Sequence, residues 1–219
     1  MMKYRLDAVL FDLDGVVIDS ASDIATSVQL TMEVLNHPVR PREEIIPHVG
    51  YGAVTMLRGC LNQADEAMLE QAVPIYRQIY LQHALVETRL FPNLENVMRR
   101  MKTHPVKKTA VVTSKTVELS EAILQGLKAR HYFDLIVGFD SVVKPKPDPE
   151  GILMVLDAFG AAPERTMMVG DAFTDIEAGK RAGVVTCGVT YGMGDRDLLL
   201  QSKPDLLVND IGELLKYIE

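Results

Sequence analysis

The sequence predicts an α/β fold, in which a doubly wound parallel sheet carries a helical segment inserted after its first strand. Short apolar runs, many of them β-branched, alternate with helical stretches from about residue 91 onward. One more apolar run lies near the start, and the stretch between has helical spacing without a strand signal. Continuous apolar strands that alternate with helices are typical of a parallel sheet covered on both faces. Right-handed connections then make the sheet doubly wound.

The first strand is predicted at 8–11, and the inserted helices follow it. Within 24–35 and again within 54–61, apolar residues recur three or four positions apart, as on one face of a helix. A longer run over 68–85 contains Pro74, which we expect to kink or split the helix. The predicted division of the chain is a sheet domain of residues 1–17 and 87–219 and a helical insert of residues 18–86.

Further strands and helices complete the predicted sheet domain. Asp148 and Pro149 supply a helix N-cap and a first-turn proline, Gly160 can end that helix, and Gly183 can end the next one. A short helix is expected to close the chain. The predicted strands are 110–112, 135–137, 167–169, 184–186 and 206–208, and the helices between them include 119–127, 149–159 and 176–182.

Composition and charge exclude several classes of protein. The 219 residues are 47% hydrophobic, which suits a chain that buries a core and excludes a disordered one. The formal net charge of -7 argues against partners such as nucleic acid or an anionic membrane. The start has too short an apolar stretch for a signal peptide or membrane span, so we expect a cytoplasmic protein. Cys60 and Cys187 are too few for a disulfide framework, and the histidines lack metal-ligand spacing.

Two carboxylates follow the first predicted strand. Asp12 ends the strand, Asp14 lies two residues on, and Gly15 allows a sharp turn. Ligands of open α/β sheets bind outside the carboxyl ends of the strands, and carboxylates this close repel each other unless a cation or a shared proton intervenes. Mg²⁺, a hard cation that takes carboxylate oxygens, would satisfy them. Taken alone, the motif could also be a helix cap or a turn.

Three further motifs follow later strands. Thr113 and Ser114 precede a predicted helix, whose N-terminus is a favourable place for an anion. Lys144 and Lys146 lie in the loop VKPKPDP, where prolines could aim a lysine side chain. Asp171 and Asp175 are about one helical turn apart. Together the motifs place carboxylates, a hydroxyl and a lysine around one crevice, as Mg²⁺-dependent phosphoryl transfer requires.

In this order the motifs resemble those of the haloacid dehalogenase (HAD) superfamily, over essentially the whole chain. FDLDGVVIDS is similar to its first motif, VVTS to its second, Lys144 in VKPKPDP to its third and VGDAFTDIEAG to its fourth. The two aspartates of the first motif resemble the phosphotransferase branch, and the insert is placed like the superfamily's helical cap domain. Within the superfamily the chain is most similar to phosphoglycolate phosphatase-like proteins.

The resemblance implies a role for each of these residues. Asp12 is expected to be the nucleophile that forms an aspartyl-phosphate, Asp14 the general acid and base, and Lys144 the cation that neutralises the phosphate and the nucleophile. The Mg²⁺ ligands are expected to be Asp12, the Asp14 backbone carbonyl and Asp171, with Asp175 binding directly or supporting them. The substrate contacts are expected to be Thr113 and Ser114 for the phosphate, Gly50, Tyr51 and Gly52 in the cap loop, and Arg58 for a substrate anion.

The resemblance leaves more than one activity open. The leading expectation is a Mg²⁺-dependent phosphatase, monomeric or homodimeric, that hydrolyses a small phosphorylated metabolite, 2-phosphoglycolate first. Inorganic pyrophosphate is the second expectation and a β-phosphoglucomutase-like phosphosugar mutase the third. Val16 stands where mutase-like relatives also have Val, but Ala53 stands where their cap loop offers an arginine. A receiver-like signalling module, the non-hydrolytic alternative, would lack both the insert and the acidic motif at Asp171.

Overall fold

A parallel sheet of six strands lies at the centre of the computed structural model, which describes residues 3–62, 64–103, 106 and 108–219. In chain order the strands are β1 (Ala8–Phe11), β2 (Ile18–Asp19), β3 (Arg89–Leu90), β4 (Lys108–Val112), β5 (Leu135–Val137), β6 (Thr166–Gly170), β7 (Val185–Val189) and β8 (Leu206–Val208). The sheet has the order β5-β4-β1-β6-β7-β8, and each neighbouring pair is parallel. The predicted α/β fold class is confirmed.

The register of the sheet brings the ends of its central strands to one edge. β1 lies between β4 and β6, and Phe11 is opposite both Val111 and Val169. The residues that follow these three strands therefore lie side by side at the carboxyl edge. Asp12 and Asp171 are two of them, as the order of the motifs predicted.

Helices alternate with the strands of the sheet and also fill the insert. They are α1 (Ala21–Val34), α2 (Arg42–Ile45), α3 (Ala53–Cys60), α4 (Glu66–His83), α5 (Leu94–Thr103), α6 (Val117–Gly126), α7 (Glu150–Phe159), α8 (Phe173–Ala182) and α9 (Arg196–Gln201). α7 begins one residue later than predicted, with Pro149 at its N-cap, whereas Gly160 and Gly183 end α7 and α8 in the left-handed conformation. The short closing helix is a 3₁₀ helix, Ile211–Lys216. No helix of the described residues is both long and apolar enough to cross a bilayer.

Both faces of the sheet are covered by helices, and alternate residues of β1 point to opposite sides. Leu10 packs in one buried cluster with Ile152 and Val155 of α7. Phe11 packs in the other cluster, which contains Leu119 and Ile123 of α6. Because neither face of β1 meets solvent, its continuous apolar sequence is the one expected of a central parallel strand.

The helices of the insert pack on one another between β2 and β3. α4 packs against α1 and α3, and β2 pairs antiparallel with β3, with Ile18 opposite Leu90. This pair was not predicted, because strands of two residues are too short to show a strand pattern. Of the two outcomes expected at Pro74, the split is wrong, since α4 is continuous from Glu66 to His83, and the kink stays a prediction.

A buried carboxylate ties the start of the insert to its end. Asp23, in the first turn of α1, is 2% exposed. Its carboxylate accepts hydrogen bonds from the Thr88 N–H at 2.8 Å, the Thr88 hydroxyl at 2.7 Å and the Glu87 N–H at 3.0 Å. Asp23 follows β2 and Thr88 precedes β3, so these bonds hold together the two chain segments that connect the sheet to the insert.

We therefore expect Asp23→Ala to lower the free energy of unfolding by about 2 kcal/mol, because it leaves the Thr88 and Glu87 N–H groups without their acceptor. Urea denaturation followed by circular dichroism measures the change. Thr88→Ser, which keeps the hydroxyl, is the matched control and should lose less. A change within about 0.5 kcal/mol for Asp23→Ala would show that these hydrogen bonds contribute little.

Candidate active site

Three buried carboxylates meet at the carboxyl edge of the sheet. Asp12 directly follows β1, Asp171 directly follows β6, and Asp175 lies in the first turn of α8. Each offers an oxygen, and these oxygens all lie within 4.8 Å of one another. Their relative exposures are 5%, 4% and 0%. The structure thus brings together three of the four residues that the sequence analysis assigned to a metal site.

Backbone donors and neighbouring glycines hold the Asp171 carboxylate in place. Asp171 Oδ2 accepts hydrogen bonds from the N–H groups of Met193 at 2.7 Å and Gly194 at 2.9 Å. A Cβ atom on Gly15 would lie 2.1 Å from the same oxygen, and one on Gly192 would lie 2.3 Å from it. Because Gly15 also has a φ of +84°, a side chain there would be both strained and in collision.

The lysine that reaches the carboxylates is Lys146. Its Nζ lies 3.0 Å from Asp12 Oδ1 and 2.6 Å from Asp175 Oδ1, and it donates a hydrogen bond to the Val112 carbonyl at 3.0 Å. Lys144 is exposed, and its backbone N–H donates to Glu150. The position expected for Lys144 is therefore occupied by Lys146, two residues further along the same proline-rich loop. Both lysines are followed by proline, so the sequence alone had no signal that distinguished them.

Burial and mutual repulsion change the ionisation of this cluster. Burial, followed by the nearby carboxylates, raises the pKa of Asp12 to about 8 despite the opposing charge of Lys146. Burial and Asp175 likewise raise the pKa of Asp171 to about 7 against the effect of its two backbone donors. Burial lowers the pKa of Lys146, but the charges of Asp12 and Asp175 outweigh it and the net change is upward.

The donor set fits a divalent cation of the hard class. When all three carboxylates are ionised, the Lys146 ammonium balances one of their charges and two negative charges remain without compensation. Asp12 Oδ1 is buried and accepts no hydrogen bond among the described residues, with the Lys146 ammonium as its ion-pair partner. A cation that accepts carboxylate oxygens would both neutralise the excess charge and coordinate such an atom.

Asp14 lies apart from this cluster and faces a cavity. Its Oδ1 accepts a hydrogen bond from the Ser20 hydroxyl at 2.5 Å, and its Oδ2 lies 3.2 Å from Lys115 Nζ. Thus Asp12 and Asp14 each pair with a different lysine. Lys115 was not assigned a role from the sequence, although its place directly after Ser114 was a signal that could have suggested one.

The motif after β4, Thr113 and Ser114, lies next to the carboxylate cluster and to the pair formed by Asp14 and Lys115. Thr113 is buried, its N–H donates to the Val137 carbonyl at 3.0 Å, and its hydroxyl oxygen accepts from the Lys115 N–H at 3.2 Å. The Thr113 hydroxyl proton is not used in that bond and can be donated to an anion. Ser114 lines the cavity beside Asp14. These positions agree with a phosphate that lies between the carboxylates and the cavity.

The cavity has a volume of about 340 Å³ and lies between the insert and the carboxyl edge of the sheet. The cap-loop residues Gly50, Tyr51 and Gly52 line it, as expected. Arg58 does not, because it lies on the exposed side of α3, where it pairs with Glu66 at 2.8 Å. The expectation that Arg58 contacts the substrate is therefore not supported by its position. Among the residues that the structure describes, the charged ones that line the cavity are Asp14, Arg77 and Lys115.

The chain is similar to known proteins in both sequence and structure. The family model of the haloacid dehalogenase-like hydrolases matches residues 9–189. The phosphoglycolate phosphatase of Aquifex aeolicus (strain VF5) is 35% identical over 212 residues, with 96% of each chain covered. That of Escherichia coli (strain K12) is 30% identical over 237 aligned positions, which cover 98% of this chain and 94% of the relative. The crystal structure of a predicted phosphoglycolate phosphatase from Haemophilus somnus 129PT superposes with a TM-score of 0.90 at 26% identity, over 96% of this chain and 97% of the other.

The raised pKa of Asp12 makes a prediction about stability and pH. Between its ordinary pKa of 3.8 and about 8, Asp12 is ionised in the unfolded chain and protonated in the folded one. The folded state then binds the extra proton, so stability falls as pH rises through this window, by up to about 1.4 kcal/mol per pH unit. Asp12→Asn removes this contribution, and in EDTA its stability should fall less between pH 5 and pH 8 than that of the wild type.

Urea denaturation at pH 5, 6.5 and 8 measures these slopes. Asp157→Asn, an exposed position late in α7, is the matched control and should follow the wild type. Equal slopes for Asp12→Asn and wild type would contradict the assignment of a raised pKa to Asp12.

Proposed function

The chain belongs to the haloacid dehalogenase-like hydrolases and is a phosphoric monoester hydrolase, and we propose that it hydrolyses 2-phosphoglycolate with Mg²⁺ through an aspartyl-phosphate on Asp12. The observation that carries this proposal is the buried cluster of Asp12, Asp171 and Asp175 with Lys146 at the carboxyl edge of the sheet. The relatives at 30–35% identity, which are named phosphoglycolate phosphatases, support the substrate. The helices of residues 18–86 would serve as the cap domain that covers the substrate.

The proposed Mg²⁺ would be held by the carboxylates of Asp12 and Asp171 and the backbone carbonyl of Asp14, with Asp175 as a direct ligand or a support. The ion would supply positive charge to the phosphate oxygens. Hydrogen bonds from the Met193 and Gly194 N–H groups keep Asp171 oriented toward the cluster. Such outer partners commonly fix the orientation of a metal ligand.

In the first step, a carboxylate oxygen of Asp12 attacks phosphorus, forming an acyl phosphate as the bond from phosphorus to the ester oxygen breaks. Asp14 gives its proton to that leaving oxygen, so the alcohol leaves neutral. In the second step, Asp14 takes a proton from water, and the water oxygen attacks phosphorus. Phosphate is then released and the Asp12 carboxylate is restored, which divides one difficult displacement into two.

The remaining residues would position the phosphate and the nucleophile. Lys146, at 3.0 Å from Asp12, would keep the nucleophile oriented and offset charge on the transferring group. The Thr113 hydroxyl and the Ser114 N–H would donate hydrogen bonds to the phosphate oxygens. Gly50, Tyr51 and Gly52 would cover the substrate from the cap side, where they line the cavity.

The test is turnover of a panel containing 2-phosphoglycolate, inorganic pyrophosphate and β-glucose-1-phosphate, measured as phosphate release with Mg²⁺ and after EDTA. We expect 2-phosphoglycolate to have the highest kcat/KM, EDTA to stop turnover and Mg²⁺ to restore it. Asp12→Asn is expected to lose at least about 10³-fold in kcat, because an amide cannot act as the nucleophile.

Asp157→Asn is the matched control for that substitution and should retain wild-type turnover. Full activity of Asp12→Asn would exclude the proposed nucleophile, and turnover unaffected by EDTA would exclude the metal. A higher kcat/KM for pyrophosphate, or isomerisation of the sugar phosphate, would replace the proposed substrate with one of the alternatives.

The loop lysines provide a separate prediction. Lys146→Met should lower kcat/KM for 2-phosphoglycolate by about 100-fold or more, because it removes a buried cation beside the nucleophile. Lys144→Met, which changes an exposed side chain in the same loop, should stay within about threefold of the wild type. Steady-state kinetics on the two variants decides between these lysines, and the reverse result would restore Lys144 to the role first expected of it.

A further inference from the structure

One cation in the cavity has no part in the proposed chemistry. Lys115 lines the cavity and is buried, with 7% of its side chain exposed. Burying an ammonium group is costly unless anions or hydrogen-bond acceptors face it. The groups around Lys115 therefore indicate what it binds.

The partners of Lys115 satisfy it only in part. Its Nζ lies 3.2 Å from Asp14 Oδ2, donates a hydrogen bond to the Tyr80 hydroxyl oxygen at 3.0 Å, and lies 4.2 Å from the centre of the Tyr80 ring. Burial raises the pKa of Tyr80, so that phenol is neutral. The Asp14 carboxylate is shared with the Ser20 hydroxyl. An ammonium group with one shared carboxylate can accept a second anion that enters the cavity.

The position of Lys115 relative to Asp14 determines where that anion lies on a substrate. Asp14 must come within hydrogen-bond reach of the ester oxygen to protonate it. Lys115 contacts the same carboxylate, so a group attached to the ester oxygen through one carbon would come within reach of the ammonium. In 2-phosphoglycolate that group is the carboxylate.

We infer that Lys115 is a specificity-determining residue that binds a carboxylate one carbon away from the phosphate ester oxygen; this inference rests on the proposed function. Arg77 is the other cation lining the cavity, but it is exposed, and solvent screens the charge of such a group. The buried position of Lys115 makes its attraction for an anion stronger. The lining also includes apolar side chains such as Ile24, Met56 and Leu119, which have no group that binds a carboxylate.

The experiment compares kcat/KM for 2-phosphoglycolate and for ethyl phosphate, whose leaving alcohol has a methyl group in place of the carboxylate. We expect the ratio of the two to be about 100 or more in the wild type and to fall at least about 30-fold in Lys115→Met. Loss of the ion pair between Lys115 and Asp14 lowers kcat/KM for both substrates. The ratio of the two values, rather than either value alone, therefore measures recognition of the carboxylate. Lys115→Arg keeps the charge and should keep more of the ratio.

Lys216→Met is the matched control, because it removes an exposed lysine that pairs with Glu213, and it should leave the ratio unchanged. An unchanged ratio in Lys115→Met, or a selective loss in Arg77→Gln instead, would overturn the inference. A wild-type ratio near one would also overturn it, and that measurement does not depend on whether a variant folds. The proposed function fails differently: the wild type would then show no turnover of 2-phosphoglycolate, or Asp12→Asn would remain active.

Discussion

At the carboxyl edge of the sheet, Asp12, Asp171 and Asp175 lie within 4.8 Å of one another, and the Lys146 ammonium contacts two of them. Burial, and after it the repulsion between like charges this close together, raises the pKa of both Asp12 and Asp171. Such an arrangement survives only if the surrounding fold supports it. That support comes from the parallel register of β1 and β6, the N–H donors of Met193 and Gly194, and the hydrogen bond that the Ala172 N–H donates to Asp175 Oδ2.

Two aspartates that are separated by only one residue, Asp12 and Asp14, have different surroundings. Asp12 lies with the other carboxylates and Lys146, whereas Asp14 lies with Ser20 and Lys115 on the cavity side. Carboxylates with distinct partners can take distinct roles in acid–base and nucleophilic chemistry. The division also separates the two lysines, since Lys146 lies beside the proposed nucleophile and Lys115 beside the proposed general acid and base.

Much of the fold could be predicted from the sequence, because its strands are buried on both faces and so appear as continuous apolar runs. The strand at 8–11 matches β1 in full. The β2–β3 pair could not be predicted, since its strands of two residues are held by pairing with each other rather than by an apolar pattern. Pro74 was expected to kink or split a helix, and α4 runs through it without a break.

The site was predictable where a residue ends a strand, because the sheet register then determines its position. Asp12, Thr113 and Asp171 are of this kind. It was less predictable in loops and on the insert, where the direction of a side chain depends on contacts distant in sequence. Lys146 rather than Lys144 reaches Asp12, and Arg58 pairs with Glu66 instead of lining the cavity. Both differences come from side-chain direction, which neither periodicity nor motif spacing determines.

The net charge of -7 is a property of the whole composition and does not determine the charge at one site. It argues against nucleic acid and anionic membranes as partners, because those interactions depend on the charge of a whole surface. It does not describe the cavity, where Lys115 and Arg77 face a single acid, Asp14, among the described lining residues. Several of the acids that make the chain negative are buried in the cluster at the sheet edge, where a bound cation would reverse their local effect. An acidic protein can therefore present a locally cationic site to a substrate that carries both a phosphate and a carboxylate.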